Sequence, residues 1–62
     1  MTDKYVITFV TERGEFRIWE RYADRSKALA KELMAMGATG VEVWNADRET
    51  VVFQRGTVPQ PA

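Results

Sequence analysis

Between Asp24 and Gly37 the chain carries its one stretch with helical spacing, "DRSKALAKELMAMG". Leu29, Leu33 and Met36 recur on one face of it, flanked by Ser26, Ala30 and Gly37. Asp24 suits the N-cap, and Gly37 suits the left-handed residue that closes a helix. One helix is the tightest constraint on this fold, because it must serve every strand that the rest of the chain forms.

The other apolar stretches alternate. "KYVITFVT" (Lys4 to Thr11) is rich in β-branched and aromatic residues and reads as a strand. "TERGE" follows, with Gly14 free to take a positive φ in a hairpin turn, and "EFRIWERY" (Glu15 to Tyr22) forms the second arm. Beyond the helix, the loop "GATG" leads into "GVEVWN", a third strand. "NADRE" is a polar turn, and "TVVFQR" (Thr50 to Arg55) is a fourth strand. "GATG" lacks the glycine spacing, the following helix and the lysine of a phosphate-binding loop, so it is read as a plain connection.

The order is ββαββ. It predicts an α+β domain over residues 1–56, a four-stranded, mainly antiparallel sheet with one helix packed on one face, while residues 57–62 form a disordered tail. The sequence leaves the strand order open. Tyr5, Ile7, Phe9, Phe16, Ile18, Val41, Val43, Val51 and Phe53 make up the expected core face, closed by Leu29, Leu33 and Met36.

A helix is about 10–12 Å wide with its side chains, whereas four strands span roughly 15–19 Å. One helix therefore cannot cover both faces. The opposite parity carries Lys4, Val6, Thr8 and Val10, then Arg17, Trp19 and Arg21, then Glu42 and Trp44, then Thr50, Val52 and Gln54. Two tryptophans and three valines are too much apolar surface for simple solvent exposure. The face could be covered from within, by Arg17 and Arg21 lying over the Trp19 ring, by the tryptophans meeting each other, or by the tail. Otherwise it meets a partner.

Composition narrows the classes of function. With no cysteine there is no disulfide framework or thiolate metal site, and with no histidine the commonest metal ligand and general base are missing. No acidic pair has the spacing of a catalytic dyad, and one helix on one sheet offers little volume for a desolvated pocket. The chain is therefore read as non-catalytic and cofactor-free. It has no apolar run long enough to span a bilayer and no signal-peptide core, which gives the expectation of a soluble, cytoplasmic protein with no membrane partner.

A chain of 62 residues has little core of its own, and self-association is a common way to enlarge one. Nine basic and nine acidic residues give zero net charge, so nothing keeps copies apart. The reading is a small protein-interaction module that self-associates through the tryptophan-bearing sheet face, with Arg17, Trp19, Arg21, Trp44 and Val52 as partner-binding residues. A larger protein partner would use the same patch. The alternative is single-stranded nucleic acid stacking on Trp19 and Trp44 with Lys4, Arg17 and Arg21 on its backbone. That alternative lacks an aromatic-glycine signature and the basic excess such binders carry, and Glu15 and Glu42 share the face.

Overall fold

The computed structural model describes residues 4–56 and Val58. Strands β1 (Tyr5–Thr11) and β2 (Gly14–Glu20) precede helix α1 (Ala23–Ala35), which is followed by β3 (Gly40–Asn45) and β4 (Thr50–Gly56). All neighbouring strands are antiparallel, and the sheet order is β2-β1-β3-β4. The ββαββ architecture expected from the sequence is the one observed. The most apolar strand, β1, lies inside the sheet, and the two hairpins join along β1 and β3.

The first hairpin turns through Glu12 and Arg13. The Arg13 amide donates to Thr11 Oγ1 at 3.1 Å, and Gly14 takes φ 125°, a region where a Cβ would be strained. The second turn is held by Asn45, whose Oδ1 accepts the amides of Asp47 (3.0 Å) and Arg48 (3.2 Å). This is the side-chain mimic of a turn for which Asn is favoured.

The helix starts two residues earlier than its best capping residue suggests. Its N-cap is Tyr22, not Asp24, with the Ser26 amide donating to the Tyr22 carbonyl at 3.0 Å and no side-chain cap. β2 ends at Glu20, and the Glu20 carboxylate accepts the Arg21 and Tyr22 amides at 2.8 and 3.3 Å, which turns the chain before Asp24 is reached. Asp24 instead sits in the first turn, where a carboxylate favours the positive end of the helix dipole. At the other end Gly37 adopts φ 112°. The Ala38 amide reaches the Leu33 carbonyl and the Gly37 amide the Met34 carbonyl, the paired bonds of a Schellman closure.

Ile7, Val41, Val43 and Ala30 are fully buried, with Tyr5, Phe9, Ile18, Leu29, Leu33, Met34 and Phe53 packed around them. The helix thus lies on the face carrying Ile7 and Val43, as the alternation requires. Its closest approach uses the small side chains of Ser26 and Ala30, both without exposed surface, and the Ser26 hydroxyl is satisfied by the Ala23 carbonyl at 2.7 Å. Centring the buried stripe on Ser26 and Ala30 rotates Met36 away: it is 78% exposed, and Met34 takes the core contact expected of Met36.

Two strand residues expected in the core are also outside it. Phe16 faces the helix side but lies on the edge strand beyond the helix, 44% exposed and stacked on Phe9 at 5.5 Å. Val51 is moved by a β-bulge. Val43 pairs with Phe53 while Trp44 pairs with Val51, so Val52 is an extra residue and Val51 leaves the Phe53 face. At the same edge, Arg55 lies over the Phe53 ring at 4.6 Å and covers what the helix does not reach. Of the segment expected to be a disordered tail, Val58 is buried, and Thr57 and residues 59–62 lie outside the described residues.

Candidate functional site

The face opposite the helix is ordered by strand register into rows. Val6 pairs with Trp19 on one side and with Trp44 on the other, and Trp44 pairs with Val51. Trp19, Val6, Trp44 and Val51 therefore form one apolar band crossing all four strands, with Val52 beside Val51 at the bulge. Directly paired side chains on one face sit about 4.5–5.5 Å apart at Cβ, close enough for continuous contact along the band. Trp19 is 55% exposed, Val51 46% and Val52 37%, whereas Val6 and Trp44 in the middle are half-buried.

The adjacent row is polar. Arg17, Thr8, Glu42 and Gln54 are paired in that order across the same strands. Arg17 is exposed, Glu42 is half-buried, and Thr8 between them is buried. On the other side of the band Lys4 forms an ion pair with Asp47 at 3.6 Å, both side chains about half exposed. Such a pair contributes little to stability, but it ties the start of β1 to the β3–β4 turn.

Of the five residues expected to bind a partner, the structure brings Trp19, Trp44 and Val52 together in or beside the band, with Arg17 in the next row. Arg21 stands apart. Strand pairing ends at Glu20, so alternation no longer places Arg21 on the tryptophan face; it lies in the bend that leads into the helix. Val51 joins the band although simple alternation places it on the core face, because a bulge has no reliable signature in one sequence.

Coverage of Trp19 by arginine is not found. Among the described residues the cation–π contacts are Arg25 over Tyr22 and Arg55 over Phe53, and neither tryptophan takes part in one. The two tryptophans are not adjacent either, because the Val6 strand lies between them.

A concavity lies between the end of the helix and the β1–β2 hairpin. It is a groove of about 520 Å³ lined by Phe9, Leu33 and Met36 together with Glu12, Arg13 and Thr39. Among the described residues no group of three or more acidic, cysteine or histidine side chains could hold a metal ion, and no helix is long and apolar enough to cross a membrane.

No protein-family model, curated protein or solved structure matches the chain, so what the band does has to be argued from its own chemistry.

Proposed function

We propose that this protein is a non-catalytic interaction module that associates with a second copy of itself through the open face of its sheet. The observation that carries the reading is the unbroken band Trp19–Val6–Trp44–Val51, which runs from one sheet edge to the other with its two ends exposed. Burying a large apolar side chain contributes on the order of 1.5–3 kcal/mol, a sizeable fraction of the roughly 5–15 kcal/mol that stabilises an ordinary domain. A chain this short, with four fully buried hydrophobic residues at its core among the described residues, gains more from covering that band than a larger protein would. Zero net charge leaves no general repulsion to oppose association. The patch is a single small sheet, at the low end of specific interface sizes, which suits a reversible contact.

Sedimentation velocity across a concentration series tests this directly. The expected result is a mass above that of one chain at micromolar concentration, with both indoles shielded from iodide as association proceeds. A monomer at the highest concentration, with Trp19 readily quenched, would remove self-association. Salt-sensitive binding of a labelled single-stranded oligonucleotide to that monomer would reassign the band to base stacking.

A further inference from the structure

The band alternates in size as it crosses the sheet: Trp19, Val6, Trp44, then Val51 with Val52 beside it. Two protein surfaces pack to interior density only when large side chains on one face small ones on the other. We propose that two copies meet face to face about a two-fold axis parallel to the strands, an inference that rests on the self-association reading above. This operation reverses strand order across the interface, so β2 of one copy lies over β4 of the other and β1 over β3. Trp19 then seats over the Val51–Val52 bulge of the second copy, and Trp44 over its Val6. Both tryptophans meet valine, and the bulge supplies two valines where the more exposed ring needs the wider footprint. The strands of the two sheets run nearly parallel, the alignment usual for stacked sheets.

The polar row supports the same operation. Reversal brings Thr8 over Glu42 of the second copy and Arg17 over its Gln54. Arg17 is then one strand spacing, about 4.8 Å laterally, from the Glu42 carboxylate across the interface. The only ion pair among the described residues is Lys4–Asp47, so neither Arg17 nor Glu42 has an ionic partner there within its own chain. By symmetry the pair forms twice, and an arginine side chain easily covers the offset. The other face-to-face two-fold, with its axis along the band, sets each tryptophan on its own counterpart, each valine on itself, and Arg17 far from Glu42.

The test is a charge exchange between chains. Arg17→Glu alone and Glu42→Arg alone each replace both pairs with like charges, and each is expected to weaken self-association by about tenfold or more. An equimolar mixture of the two variants restores wild-type association, because the mixed dimer has one native pair and one exchanged pair. A second measurement does not depend on charge. The chain has no cysteine, so Arg17→Cys and Gln54→Cys chains treated with a bismaleimide of about 10 Å span, the spacing of stacked sheets, should crosslink when mixed and not when alone. If single-charge variants associate as well as the wild type, or mixing brings no recovery, or each cysteine chain crosslinks with itself, this arrangement is wrong while self-association stands. A wild-type chain that stays monomeric at millimolar concentration removes both.

Discussion

The two faces of this sheet have similar side chains and opposite fates. On one, Ile7, Val41 and Val43 have no exposed surface; on the other, Trp19 and Val51 keep about half of theirs. Side-chain size alone does not explain the difference, since the open face carries both tryptophans. Coverage explains it. The helix lies across the two central strands on one side only, and its small Ser26 and Ala30 let it approach closely. Among the described residues no helix or strand lies over the open face. A face can thus be apolar without being core, and whether it is an interface depends on what lies over it.

The sharpest way to break that comparison is to cut into each face in turn. Ile7→Ala opens a cavity under the helix and should cost about 2–5 kcal/mol, read as a fall in the urea midpoint at every protein concentration. Trp19→Ser on the open face should act differently. It should weaken association by about 2 kcal/mol or more, as for an aromatic anchor buried by the partner, and the melting temperature should lose its dependence on protein concentration. If Trp19→Ser instead behaves like Ile7→Ala, with a large loss independent of concentration, the open face is part of the core and the distinction fails.

Smaller effects sharpen the picture. Ending the chain at Gly56 removes the buried Val58 and should cost about 1.5–3 kcal/mol, measured by chemical denaturation. An unchanged midpoint would return the segment to the dispensable tail expected from its prolines. Asn45→Ala deprives the Asp47 and Arg48 amides of their shared acceptor and should cost about 1 kcal/mol. Because that turn sets the register that brings Val51 beside Trp44, amide exchange in β4 should rise more than in β2. Met36→Gln should change stability by no more than about 0.5 kcal/mol, since Met36 is largely exposed. A larger loss would mean that the groove at the helix end is better packed than its exposure suggests.

By itself, the sequence determined the number, type and order of the elements, the helix closure at Gly37, the hairpin at Gly14 and which parity of β1, β2 and β3 faces the helix. These are local matters: alternation, helical spacing and the conformational freedom of glycine act over a few residues, and each is written in the residue types. It also placed Trp19 and Trp44 on one face. Four things came only from the tertiary structure. Strand order put Val6 between the two tryptophans, which turned residues sharing a face into a continuous band. The bulge transferred Val51 from the core face to that band. The end of pairing at Glu20 took Arg21 out of it, and the approach of the helix on Ser26 and Ala30 exchanged Met34 for Met36 in the core. Strand order and the approach of the helix depend on contacts between segments distant in the chain, the bulge and the bend at Glu20 on pairing geometry that residue types do not spell out, and alternation within a single strand carries no information about which strand will lie beside it.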